Sequence, residues 1–202
     1  MDSFIMPDNG SLVRIFHAVQ NAPAVDIYIN DILTFQNLSY SQFTDYIPIT
    51  ADQYKITVYA SNTPGTALLT VSFPVPTDQI LTLPISGTVD DLQLVVLNDQ
   101  DSFSRDNNLS TVRVVALSPN EKSLNILFDN RPFVHDISFR EMTPYAQIPA
   151  RSYTTTITAP ENNVKKAFRI ELKPEQTSTL YLIDEGEDVT AIQSIDGSSY
   201  LN

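Results

Sequence analysis

His17 and Asp26 stand on either side of the turn signal Asn21-Ala22-Pro23 and could face each other across adjacent strands. A carboxylate that orients an imidazole is half of a general-base arrangement, and the other half is a nucleophile held within reach. No serine is tied to this pair by a recognisable motif, and cysteine is absent from the chain. The pair therefore reads as a hydrogen bond fixing a strand-turn-strand corner, and the chain is read as non-enzymatic. A second histidine, His135, follows Arg131-Pro132-Phe133 beside Asp136 and is placed in an exposed hairpin.

Carboxylates cluster in two places. Asp90 and Asp91 precede Asp99 and Asp101, and Asp184, Glu185, Glu187 and Asp188 surround Gly186. Calcium takes about six to eight oxygens, many from loop carboxylates and carbonyls. Neither cluster follows the EF-hand spacing, so the expectation is solvated acidic loops and no cofactor. Calcium is the alternative, with Asp99, Asp101, Asp184 and Glu185 as its candidate ligands. The lack of cysteine removes disulfides, zinc thiolate sites and thiol nucleophiles. The sequence holds no glycine-rich phosphate loop, no paired histidines of zinc-site spacing and no basic patch. Acidic residues outnumber basic ones 24 to 12, a formal charge of -12. Such a surface repels nucleic acid and anionic membranes and opposes self-association unless salt screens it.

The tyrosines and phenylalanines Tyr28, Tyr40, Phe43, Tyr46, Tyr54 and Tyr59 crowd the first half of the chain. Exposed on a sheet, such rings could stack on sugars. Tyr40, Tyr46 and Tyr54 recur later as Phe139, Tyr145 and Tyr153, which suits core or corner positions for those three.

That recurrence organises the whole chain. A constant offset of 99 aligns Leu12–Lys55 with Thr111–Thr154 without a gap, pairing Arg14 with Arg113, Asn21 with Asn120, Ile27 with Ile126 and Ile49 with Ile148. Farther on, Leu81-Thr82-Leu83 is matched to Leu180-Tyr181-Leu182 and Gly87 to Gly186 at the same offset, and a one-residue slip matches Leu97-Asn98 to Ile195-Asp196. A tandem duplication is expected. Thr, Val, Ile, Tyr and Phe are plentiful, while glycine, at 5 residues, is scarce, so Asn, Asp and Pro must supply the turns. Strands are expected near residues 12–18, 25–29, 33–38, 43–49, 54–59, 67–73, 80–86 and 92–97. Val25-Asp26-Ile27-Tyr28-Ile29 alternates so that Val25, Ile27 and Ile29 share one face. Turn signals every 8–12 residues or so suggest sandwiches of two antiparallel sheets. The expected layout is an arm over residues 1–10, a first sandwich over 11–98, a polar linker over 99–109 and a second sandwich over 110–202.

His17-Ala18 followed by Asn21-Ala22-Pro23-Ala24-Val25-Asp26-Ile27-Tyr28-Ile29-Asn30, then Asn37-Leu38-Ser39-Tyr40 and Thr44-Asp45-Tyr46-Ile47-Pro48-Ile49, resembles the bacterial domain-of-unknown-function family numbered 4397. Ser118-Pro119-Asn120 and Ile148-Pro149-Ala150-Arg151-Ser152-Tyr153 extend the resemblance to the second copy. Departures are Val19-Gln20 in place of Ser-Pro, and Ala116 in place of the histidine. The resemblance implies two tandem immunoglobulin-like or transthyretin-like sandwiches, usually on secreted or surface proteins, and no established activity. Members lacking a signal peptide resemble proteins of spore-forming bacteria, which brings in a spore surface.

The expected function is a structural or interaction protein of a bacterial cell or spore surface. It would partner itself or other surface proteins through edge strands or the apolar arm residues Phe4, Ile5 and Met6. The alternative is a module that binds carbohydrate or another polymer. No nucleic-acid partner and no membrane insertion are expected. The N-terminus carries no signal-peptide pattern, so an extracellular or surface location needs another export route, a removed signal or lysis of the producing cell, and a cytoplasmic origin stays open.

Overall fold

A computed structural model describes residues 8–63, 65–160 and 163–200. The chain divides into two units, one ending at Asp99 and the other beginning at Gln100. In the first, β1 (Gly10–His17), β4 (Ile47–Thr50), β7 (Ile80–Thr88), β8 (Asp91–Leu94) and β9 (Leu97–Asn98) form one sheet in the order β4-β1-β7-β8, with β9 also on β7. The facing sheet runs β3-β2-β5-β6, from β2 (Val25–Ile29), β3 (Ile32–Leu38), β5 (Gln53–Ala60) and β6 (Leu69–Pro74). The second unit repeats this with β10 (Leu109–Ala116), β13 (Ala146–Pro149), β16 (Thr177–Glu185) and β17 (Asp188–Ile195) in the order β13-β10-β16-β17. Its facing sheet runs β12-β11-β14-β15, from β11 (Leu124–Phe128), β12 (Arg131–Ile137), β14 (Ser152–Ala159) and β15 (Asn163–Glu171). A helical turn, α1 (Gly197–Tyr200), follows β17.

Each unit is thus a β-sandwich, and the strand pairs are antiparallel except for one in each unit. β1 and β7 run parallel, as do β10 and β16. The chain lays down the first of these strands, leaves to build the facing sheet and returns in the same direction. A parallel pair needs such a long crossover.

Alternation builds the cores. Val13 and Ile15 of β1, Val25 and Ile27 of β2, Ile56 and Val58 of β5, and Leu81, Leu83 and Ile85 of β7 interleave in the first unit. Val112, Val114, Leu124, Ile126, Ile157, Leu180 and Leu182 do so in the second. Each fully buried aliphatic side chain contributes about 1.5–3 kcal/mol. The tight β2–β3 turn needs two residues with positive φ, and Asn30 (48°) and Asp31 (65°) supply it. Asp129 (49°) and Asn130 (63°) do the same between β11 and β12. Asn and Asp side chains tolerate this region, so the two hairpins need no glycine.

The register corrects the second half of the sequence alignment. Arg14 pairs with Thr82 and Arg113 with Thr179, so the counterpart of Thr82 is Thr179 rather than Tyr181. Val58 lies opposite Leu69 and Ile157 opposite Lys166, so the offset falls from 99 to 97 across the β5–β6 connection. Residues 61–68 make that connection in the first unit and residues 160–162 in the second. Beyond it Asp99 corresponds to Asp196, and Gly87 corresponds to Asp184, not to Gly186. Short apolar runs such as Leu-x-Leu match equally well when slipped by two residues, because a strand presents the same face every second residue.

Candidate functional site

Arg14 and Thr82 sit side by side on the sheet face that points away from the main core. The segment ahead of β4 covers that face: Phe43 bridges to Phe16 and stacks on it with ring centroids 4.0 Å apart, and Tyr46 packs with Leu12 and Ile80. Arg14 Nε donates to Thr82 Oγ1 at 2.7 Å, and the Thr82 hydroxyl donates to Asp99. Tyr46 Oη donates to the same Asp99 oxygen at 2.5 Å, and the guanidinium lies over the Tyr46 ring at 4.5 Å. Arg14 Nη2 is 3.8 Å from that oxygen. Burial, reinforced by the Asp99 charge, pushes the Tyr46 hydroxyl far above its ordinary range.

The second unit repeats the cluster. Arg113 Nε donates to Thr179 Oγ1 at 2.7 Å, Tyr145 Oη donates to Asp196 at 2.7 Å, and Arg113 lies 4.5 Å over the Tyr145 ring. Thr179 also donates to Asp196. Both arginines and both aspartates are buried, so these are closed structural networks with no opening for a substrate.

Three of the four carboxylates considered for calcium are placed otherwise than the sequence suggested. Asp99 is not in a linker: it is fully buried in the first unit, and its backbone N–H donates to Ile80 O at 2.7 Å. Asp101 belongs to the second unit, where it accepts from the Thr177 hydroxyl and from Arg105 Nη1 at 3.4 Å. Asp184 is buried and accepts from the Ser118 hydroxyl; burial raises its pKa above the usual carboxylate value. Glu185, its neighbour on β16, is exposed and pairs with Lys166. Each carboxylate meets donors of the chain, and among the described residues no group of three or more His, Cys, Asp or Glu gathers around a point that could hold a metal. Phe4, Ile5 and Met6 lie outside the described residues.

His17 and Asp26 do not meet each other. Val19 N–H donates to His17 Nδ1 at 3.3 Å, which leaves the proton on Nε2, and Nε2 donates to Pro23 O at 3.1 Å. Burial lowers the His17 pKa, partly offset by the Pro23 bond. Asp26 accepts from Ser61 Oγ at 2.6 Å and from Asn37 N–H at 2.8 Å. The Ser61 bond is the main cause of its lowered pKa, against the opposing effect of burial. The single His17–Asp26 hydrogen bond expected from the sequence is not formed, and each residue fixes a separate corner.

Outside the core, the first unit carries a cleft of about 580 Å³ on the β3-β2-β5-β6 sheet. Asp26 and Tyr28 project from β2, Leu33 and Gln36 line it from β3, Tyr59 from β5, and Asn62 and Thr63 from the connection that follows. Tyr28 and Tyr59 are half-buried, with ring centroids 5.3 Å apart and planes at 81°. The repeat does not preserve these rings: Leu127 and Thr158 stand in their places.

The free edge of this sheet also differs between units. β3 and β12 are both edge strands. β3 reads Ile-Leu-Thr-Phe-Gln-Asn-Leu, with no charge and no proline, and leaves Ile32 69% and Leu33 42% exposed. The matching positions of β12 are Arg131 and Pro132, followed later by His135 and Asp136. Charge and proline guard a sheet edge against pairing with another chain, and β3 lacks both.

The domain of unknown function DUF4397 matches residues 11–109 and again 110–199. No curated protein matches the chain. Among solved structures, the C-terminal domain of AlgF from P. aeruginosa aligns at 15% identity and a TM-score of 0.36, over 45% of this chain and 99% of that one. With both units matched in succession, the chain belongs to the DUF4397 family, in two tandem copies.

Proposed function

We propose that this chain is a non-catalytic interaction protein of a bacterial cell or spore surface, and that it associates with further copies of itself through the β3 edge of its first unit. The observation that carries this reading is the contrast between β3 and β12. The scaffold is the same, yet one edge is bare and the other is guarded. A bare edge strand offers unpaired backbone donors and acceptors to a partner strand, and Ile32 and Leu33 add apolar area to the contact. Two copies can pair such an edge about a two-fold axis. The formal charge of -12 opposes that approach, so association strengthens with salt. The surface setting rests on the family resemblance.

Light scattering on the full chain, across a range of concentration and salt, tests the proposal. The wild type is expected above its monomer mass of 22.5 kDa at high salt, and Leu33→Lys is expected to return it to that mass. A chain that stays monomeric at every salt concentration, or association unchanged by Leu33→Lys, would overturn it. Removing residues 1–10 separates the edge from the arm. If association is lost without the arm and persists in Leu33→Lys, the arm rather than β3 supplies the contact.

A further inference from the structure

The cleft beside Tyr28 and Tyr59 shares Leu33 with the proposed edge contact, but its two rings are absent from the matching positions of the second unit. We infer that it binds an uncharged sugar residue of a polysaccharide. Its volume of about 580 Å³ lies within the range of roughly 300–1,000 Å³ usual for small-ligand sites. The two phenol rings, 5.3 Å apart and nearly perpendicular, meet edge to face and supply aromatic surface to the lining. A pyranose ring presents a face of C–H groups that packs on an aromatic ring, while its rim of hydroxyls needs donors and acceptors together. The lining provides both, through the Gln36 and Asn62 amides and the Thr63 hydroxyl.

Charge decides which ligand suits the cleft. Asp26 is charged and already accepts from Ser61 Oγ and from the backbone N–H groups of Asn37 and Asn62. Asp31 is held by Lys55 at 2.6 Å. Neither carboxylate needs a cationic ligand to neutralise it, and together with the net charge of -12 they repel uronate and phosphate polymers. The groups left to address a ligand are neutral hydrogen-bonding side chains and aromatic faces.

The second unit serves as an internal control. Asn125, Leu127, Asn130, Pro132, His135 and Thr158 replace Asp26, Tyr28, Asp31, Leu33, Gln36 and Tyr59, and the connection that supplies Asn62 and Thr63 is shortened. Both rings are therefore lost from the same sandwich wall. This inference rests on the two rings and the polar lining and not on the edge reading; Tyr28 lies opposite Leu33, whereas Tyr59, on β5, is one strand removed from β3.

Isothermal titration calorimetry of the full chain with cellohexaose, N-acetylchitohexaose, polygalacturonate and choline tests the inference. Saturable binding of a neutral oligosaccharide is expected. It should weaken by at least about tenfold in both Tyr59→Thr and Tyr28→Leu, a loss of about 1.4 kcal/mol. These are the second unit's own residues at half-exposed positions, and an unchanged thermal unfolding curve verifies that the fold persists. Failure of both neutral oligosaccharides to bind up to about 10 mM would overturn the inference. So would binding of choline or polygalacturonate alone, or neutral-sugar binding that both substitutions leave intact.

Discussion

In the first unit Arg14, Tyr46, Thr82 and Asp99 close a network over the outer face of the β4-β1-β7 sheet, and in the second Arg113, Tyr145, Thr179 and Asp196 close the same one. All four residue types of this network are the same in the two copies. At the facing sheet the opposite holds: Tyr28, Leu33 and Tyr59 have become Leu127, Pro132 and Thr158. The comparison teaches which positions build the sandwich and which are free to make contacts. Positions common to both units include those that build the sandwich, and Tyr28, Leu33 and Tyr59 are outward positions peculiar to the first.

Removing the shared carboxylate should break the comparison hardest. Asp99→Ala strands a buried arginine, and losing one partner of a buried ion pair typically costs about 3–5 kcal/mol. Asp196→Ala should cost about as much in the second unit. Hydrogen exchange on the full chain, followed by peptide, should show each loss confined to the substituted unit. Equal loss in both units from either change would mean that they unfold as one.

A smaller effect should separate the two tyrosines. Tyr46 is fully buried and Tyr145 half-buried. Tyr46→Phe leaves a buried carboxylate short of a donor, at a cost of about 1–3 kcal/mol. Tyr145→Phe lets water replace the hydroxyl, so its cost should fall near the ordinary net value of a hydrogen bond, about 0.5–1.5 kcal/mol. Chemical denaturation of the two variants, with exchange to assign the unit, checks the order.

The smallest effect is one of pH. His17 has a lowered pKa in the folded state, so its contribution is complete above the unfolded value of 6.5 and is lost as pH falls through the folded one. Ala116 stands in its place in the second unit. There Asp184 has a raised folded pKa, whose contribution is complete below its unfolded value of 3.8 and is lost as pH rises through the folded one. Acidification below about pH 6.5 should therefore weaken the first unit relative to the second. Parallel loss of exchange protection in the two units over that range would contradict the assignment, and His17→Ala should abolish the difference.

Much of the architecture could be read from residue order alone. β2 was anticipated at its observed bounds because Val25-Asp26-Ile27-Tyr28-Ile29 alternates cleanly between two turns. The strand expected over 92–97 proved to be two, β8 and β9. Pro84 of β7 lies opposite the break and has no N–H to give, whereas Tyr181 at the matching position of β16 allows β17 to run whole. That effect is exerted across the sheet, where single-strand periodicity cannot register it. The strand expected over 43–49 shrank to β4 at 47–50, because Phe43 and Tyr46 cover a sheet face instead of extending an edge.

The candidate sites were less legible, for a related reason. Asp99 and Asp101 looked like solvated linker carboxylates because their partners, Arg14, Tyr46 and Thr82 for one and Thr177 for the other, lie far away in sequence. Burial of a charge shows only once strands from distant segments are paired. The edge was more accessible: once β3 and β12 are aligned, Ile32 against Arg131 and Leu33 against Pro132 can be read directly, although the topology is needed to know that both strands are edges.

The most direct test of the account is a reciprocal exchange of those two positions, read as mass by light scattering at high salt. With Ile32→Arg and Leu33→Pro the chain should be monomeric. Adding Arg131→Ile and Pro132→Leu to that chain bares the second unit's edge and should restore association. If the first exchange leaves association intact, or the second fails to restore it, the contrast between the two edges does not govern how this protein makes contact.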